Sequence, residues 1–267
     1  MSLALERLGK YAENPAFAEF NLISSDAIAL YHSRVSSSKF KRPLDELIVR
    51  MMYVAEASSV ALRLSASWAL THPAFSLCRD RYEQTVRFSW LARQASEEGW
   101  KAYLADFHHT THRLKNAFQR RGIDPLTKLD SILDDAPKDI RNEYGKWKSS
   151  PINRLASERD KLPGITNTSL DKETLELLYE SIYRQGSSVA HFDMWSINML
   201  SLHEKSGKII LAPDPYMPIM LVLHSALFDL IMSAEAAAKL GAFGEAEPWN
   251  RLCERWRSSV KRTGILD

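Results

Sequence analysis

Glycine and proline are scarce, 10 and 11 residues in a chain of 267. That weighs against an all-β fold, which needs many tight turns. Cysteine is scarcer still. Cys78 and Cys253 cannot make a disulfide framework, and a zinc site built on cysteine needs closely spaced pairs. They read as reduced thiols of a cytoplasmic protein. An excess of one charge is also lacking: 35 Lys+Arg stand against 33 Asp+Glu, a net charge of +2. No whole-molecule field therefore draws the chain onto nucleic acid or an anionic membrane. The segment from Met1 to Lys10 carries Glu6 and Arg7 and has no apolar core of signal-peptide length. The most apolar stretch, Tyr216 to Ala238, is interrupted by His224, Asp229 and Glu235. An ionisable residue near the centre of a membrane span costs roughly 2.5–3.5 kcal/mol, so this stretch reads as a buried helix with no membrane role. There is no Gly-rich phosphate loop, no Gly-x-Ser-x-Gly elbow and no dinucleotide fingerprint.

What is present is ordinary globular composition, 45% hydrophobic and 25% charged, and a strong helical period. From Leu44 the apolar positions run Leu47, Ile48, Met51, Val54, Ala55, Ala61, Leu62 and Trp68. That spacing predicts one helix with a single buried stripe. Pro43 suits its first turn, and His72-Pro73 stops the run. A second helix is expected from Ala74 to Gln94, with Phe75, Tyr82, Val86, Trp90 and Leu91. A third should run from Trp100 to Arg121, with Trp100, Tyr103, Leu104, Phe107, Leu114 and Phe118 in line and Gly122 as its C′ residue.

Residues 123–170 are broken by Pro125, Pro137, Pro151 and Pro163. Asp130 to Trp147 holds a candidate helix, and Lys148 to Thr168 reads as a long loop. A helix is expected over about 171–191. The period then changes, and alternation at 195–199 with a return at Ile209-Ile210-Leu211 suggests a β-hairpin within 195–212. The apolar helix at 216–240 and a basic helix over Glu247–Arg262 complete the chain. The expected fold is mainly α: a helical bundle with a small β-hairpin insertion. It forms a single domain over 1–267, with a core at about 44–240 and helical extensions at both ends.

One constellation suggests chemistry. In Tyr183-Arg184-Gln185-Gly186-Ser187-Ser188-Val189-Ala190-His191, residues seven apart on an α-helix differ by about 20° in azimuth and about 10.5 Å in rise. Arg184, Ser188 and His191 thus share a face, separate from the apolar stripe of Leu178, Ile182, Val189 and Phe192. Arg offers a permanent cation with a fork of donors suited to phosphate. His exchanges a proton near neutral pH. Together they suit a phosphodiester and the proton of a ribose 2′-hydroxyl. The structural alternative is equally concrete. Glu180 precedes Arg184 by four residues, the favourable order for an intrahelical ion pair. His191 near a helix end can simply serve the macrodipole.

Arg184 and His191 resemble the Arg-x(4–6)-His signature of the HEPN superfamily (higher eukaryote and prokaryote nucleotide-binding). The wider pattern is similar to an uncharacterised bacterial helical family of unknown function. It rests on Arg81-Tyr82-Glu83, and on Tyr183-Arg184, Ser187 and Ala190-His191 ahead of the apolar helix. The resemblance spans about 45–240 in outline. It implies an all-helical fold, metal-independent ribonuclease chemistry in active members, and a homodimer with two motifs meeting across a two-fold axis. It assigns Arg184 to the phosphate, His191 to proton transfer and Ser188 to orienting either one. The commonest active motif has four residues between Arg and His, whereas six intervene here, and many superfamily members are inactive binding modules.

Three further groups carry functional side chains. His108 and His112 are four apart, a spacing that can hold a metal, with His109 between them. No Glu-x-x-His element accompanies them, so neither a metal nor another cofactor is expected. Arg79, Asp80, Arg81, Glu83 and Arg87 offer ion pairs inside the bundle or a polar lining opposite the Arg184–His191 row. The basic residues Arg113, Lys115, Arg120 and Arg121, and Arg251, Arg255, Arg257, Lys261 and Arg262, suit either phosphates or solvent. The leading expectation is a cytoplasmic, homodimeric, HEPN-like protein that binds RNA and cleaves it without metal. The rivals are a non-catalytic interaction module and a small-ligand or metal-binding bundle at His108 and His112.

Overall fold

Asn14 opens the first of the described helices. Its side-chain oxygen accepts from the Ala16 and Phe17 backbone N–H groups at 2.9 and 3.3 Å, and Pro15 follows in the first turn. A computed structural model of the chain describes residues 11–36, 43–68, 70–93, 97–122, 151–163, 175–190, 200–205, 208–213 and 216–264. They are mainly helical. The elements are α1 (Pro15–Val35), α2 (Pro43–Ser67), α3 (Thr71–Arg93), α4 (Glu97–Arg120), α5 (Ile152–Asp160), α6 over 175–190, α7 (Met217–Lys239) and α8 (Glu247–Thr263). Two strands, β1 (Leu200–Lys205) and β2 (Lys208–Pro213), pair antiparallel with Leu200 opposite Pro213 and Lys205 opposite Lys208.

The chain divides into two compact units, one comprising 1–93 and 152–267, the other 94–151. In the second, Gly122 follows the end of α4, and its φ of 66° is the left-handed conformation that glycine adopts without penalty. In the first unit α7 is the axis. Every residue from Leu221 to Ala237 is buried, and α1, α2 and α3 pack around it. Phe17, Phe20, Ile23 and Ala27 of α1 join that core, so the N-terminal helix is central to it. α8 lies on α1 and α7, where Trp256 Nε1 donates to the Leu223 carbonyl at 3.1 Å.

α7 is long and apolar enough to cross a membrane, with a mean hydropathy of 1.7 over its most apolar window, yet 89% of that window is buried inside the protein. Its ionisable residues are held by partners. Asp229 is bonded to Arg81 at 2.6 Å, and the two side chains are 3% and 0% exposed. Ser59 donates to the same carboxylate at 2.6 Å, and Ser24 donates to it as well. One carboxylate thus ties α1, α2 and α3 to α7. Six residues on, Glu235 accepts from Arg159 of α5 at 3.2 Å and from Ser89 of α3. Burial pulls the Arg81 guanidinium below its ordinary pKa, and the Asp229 charge beside it pulls the other way.

Three expectations need correction. Val54 and Trp68 lie 56% and 51% exposed, outside the buried stripe. The buried line of α2 is Leu44, Ile48, Met52, Ala55, Ser59, Leu62 and Ala66. Ser59 makes it look broken in sequence, and its bond to Asp229 makes it fit. Second, the loop expected over 148–168 contains α5. Ile152, Leu155, Ala156 and Arg159 form a one-turn-spaced buried stripe, and Pro151 precedes the first turn, where its missing N–H costs nothing. Third, α6 is not a uniform α-helix. It begins α-helical at Leu175–Leu178, widens to a π-helix at Tyr179–Arg184 and returns to α at Gln185–Ala190. The candidate helix at 130–147 and the first residues of the expected hairpin, 195–199, lie outside the described residues.

Candidate functional site

The suggestive segment lies on α6, which packs against α3. Contact is closest at Gly186. A Cβ there would stand 2.5 Å from Arg79 Cβ and 3.3 Å from the Phe75 ring, so only glycine lets the helices approach this far. The approach seats Arg79 across α6. Its guanidinium carbon lies 4.7 Å from the centre of the Tyr183 ring, a cation–π distance. Its Nε donates to Ser187 Oγ at 3.0 Å. Asp80 and Glu83 hold its remaining nitrogens at 2.8 and 3.8 Å, and Glu83 also takes Arg87 at 2.9 Å. Tyr179 stacks on Tyr183, centroids 5.2 Å apart and rings 18° from parallel.

Arg184 stands on the outer side of α6. Its side chain is 65% exposed, and it pairs with Glu180, 62% exposed, at 2.9 Å. An exposed pair of this kind contributes about 0–1 kcal/mol. Ser188 follows in the α-helical turn Gln185–Ala190, so by backbone spacing it shares the face of Arg184. His191 lies outside the described residues. His108, His109 and His112 belong to α4 by their backbone, but their side chains lie outside what is described. Among the described residues no group of three or more His, Cys, Asp or Glu is placed to hold a metal ion.

The polar residues of α3 split into two sets. Arg81 turns inward to Asp229, while Arg79, Asp80, Glu83 and Arg87 form a surface network that reaches Tyr183 and Ser187 but carries no bond to Arg184. Tyr179, Tyr183 and Ser187 recur every four residues, but it is the close approach at Gly186 that brings Arg79 to Tyr183 and Ser187. On α8 the basic residues are engaged: Arg255 grips Glu19 with two nitrogens at 2.8 and 3.0 Å and Asp26 with a third at 2.7 Å. Arg251 pairs with Glu247 at 3.1 Å. Arg255 thus docks α8 on α1, whereas the Arg251 pair lies within α8.

The described chain is a mainly helical bundle whose α3–α6 face joins cations, carboxylates and stacked phenol rings. A family model described as a family of unknown function (DUF5677) matches residues 42–209. That is more than half of the chain, and the chain belongs to this family. The matched span holds α2 to α6 and leaves out α1 and α7, which build much of the core. No curated protein and no solved structure matches the chain.

Proposed function

We propose that the protein is a HEPN-like, cytoplasmic homodimer that binds RNA and cleaves it without a metal. The observation that carries this reading is the exposure of Arg184. Its guanidinium is tied only to an exposed carboxylate among the described residues, so a phosphate can displace Glu180 at little cost. On the core-facing side of the same helix, Tyr179 and Tyr183 pack half-buried with Arg79 over the Tyr183 ring and hold α6 in place. In this reading Arg184 holds the scissile phosphate. The ribose 2′-oxygen forms the new bond to phosphorus as His191 takes its proton, and the 5′-oxygen leaves and takes a proton from water. Ser188 orients one of the two groups. The strand pair β1–β2 is an insertion between the motif helix and α7.

A second reading is favoured by the same ion pair. If Glu180 and Arg184 serve only the helix, the α3–α6 face is a non-catalytic interaction module.

The test is a cleavage assay on single-stranded RNA with a chelator present. We expect cleavage by the wild-type protein, a product ending in a 2′,3′-cyclic phosphate, and loss of cleavage in His191→Ala with the melting temperature nearly unchanged. Wild-type protein that leaves RNA intact, together with His191→Ala losing roughly 1–3 kcal/mol of stability, contradicts the catalytic reading.

A further inference from the structure

A cavity of about 290 Å³ lies between the C-terminal end of α1 and the N-terminal half of α2. It shares no residue with the α3–α6 face. Val35, Val49 and Met52 make its walls apolar, and Tyr31, Ser36 and Glu56 bring polar atoms to it. Tyr31 is 2% exposed, and its hydroxyl has no hydrogen-bond partner among the described residues. A buried hydroxyl left unpaired costs about 1–3 kcal/mol, and most such groups in native proteins have a partner. Burial and the nearby Glu56 charge push the phenol up to about 12, so at neutral pH it keeps its proton and its oxygen lone pairs. His32 Nε2 lies 2.9 Å from Glu56 Oε1 and 3.0 Å from Oε2. His32 itself is largely exposed, at 59%, so water screens much of any charge it carries. The Glu56 side chain is 20% exposed, and its carboxylate keeps lone pairs beyond the His32 contact.

We infer that this cavity binds a small primary amine, its ammonium group on Glu56 and the Tyr31 oxygen and its hydrocarbon body between Val35, Val49 and Met52. Each feature selects that chemistry. The Glu56 carboxylate repels an anionic headgroup, and a neutral one forgoes the charge-assisted bond to it. An ammonium has three donors and no acceptor, and here it meets the Tyr31 oxygen, which has no partner among the described residues, and a carboxylate with lone pairs beyond its His32 contact. The cavity is at the small end of the roughly 300–1,000 Å³ usual for ligand pockets, so the body is a short alkyl chain or one ring.

The test is isothermal titration calorimetry of the full chain at neutral pH with hexylamine, 1-hexanol and hexanoate. Hexylamine should bind one site. Hexanol should bind at least about tenfold more weakly, a loss of 1.4 kcal/mol, and hexanoate should show no heat of binding. Glu56→Gln and Tyr31→Phe should each weaken hexylamine about tenfold or more, with the circular dichroism spectrum unchanged. Val49→Trp fills the cavity and keeps the test decisive if either variant fails to fold: it should abolish binding. No hexylamine binding up to millimolar concentration, equal binding of hexanol, or full affinity in folded Glu56→Gln or Val49→Trp would each overturn the proposal.

Discussion

Asp229→Ala lowers the stability of the protein by about 3–5 kcal/mol, the usual cost of leaving one member of a buried ion pair unpaired. The loss is large because this carboxylate serves three helices at once. It neutralises Arg81, which is fully buried, and accepts hydroxyl protons from Ser24 and Ser59. Without it a guanidinium stays in the core with no countercharge, and two serine hydroxyls lose their acceptor. Denaturant titration should show a lower midpoint with an unchanged slope, the signature of altered stability without altered compactness. Replacing both partners, Arg81→Met with Asp229→Leu, should recover most of the loss, because well-packed apolar groups often match a buried pair in stability. A loss below about 1 kcal/mol in Asp229→Ala would mean that the pair does not hold the bundle.

Acid should weaken the fold through His224. The imidazole is buried on α7, its Nδ1 lies 2.7 Å from the Met220 carbonyl, and burial pulls it down from 6.5 to about 4. Between those values the unfolded chain binds a proton that the folded chain refuses, so stability rises with pH across the window. The contribution is complete above pH 6.5 and is lost as the pH falls to about 4. A shift of this size is worth about 3 kcal/mol at 1.36 kcal/mol per pH unit. His224→Leu removes the titrating group. Its stability should therefore change about 3 kcal/mol less than the wild type's between pH 6.5 and 4, and parallel curves for the two proteins would contradict the assignment.

Much of the helical frame is legible in the residues. Pro43 at the start of α2, Gly122 after α4 and the continuous apolar character of α7 are local signals, and each matches an element boundary or a burial pattern. The misread parts depend on distant partners. Ser59 belongs to the buried line of α2 because of Asp229, 170 positions away. Nothing near residue 59 announces that. α5 was hidden between prolines, its stripe short and ended by an arginine that is buried where Glu235 and Asp160 receive it. The π-helical stretch of α6 likewise leaves no composition mark. In the candidate site the sequence singles out Arg184, Ser188 and the α3 cluster. It does not reveal that Arg79 lies over Tyr183 and bonds Ser187, because that depends on how closely Gly186 lets α3 and α6 approach.

Fluorescence anisotropy with a single-stranded RNA, titrated over a range of salt, is the most direct measurement of whether Arg184 contacts phosphate. The wild-type protein should bind with an affinity that falls linearly with the logarithm of salt concentration. Arg184→Ala should bind more weakly at every salt concentration, with the slope reduced by about 1. Arg184→Lys should recover little, since a point charge lacks the planar fork. The melting temperature of both variants should stay close to that of the wild type, because the Glu180 pair they lose is exposed. Absence of RNA binding by the wild-type protein, or an Arg184→Ala curve that overlays it at all salt concentrations, would contradict the RNA-binding role of this face.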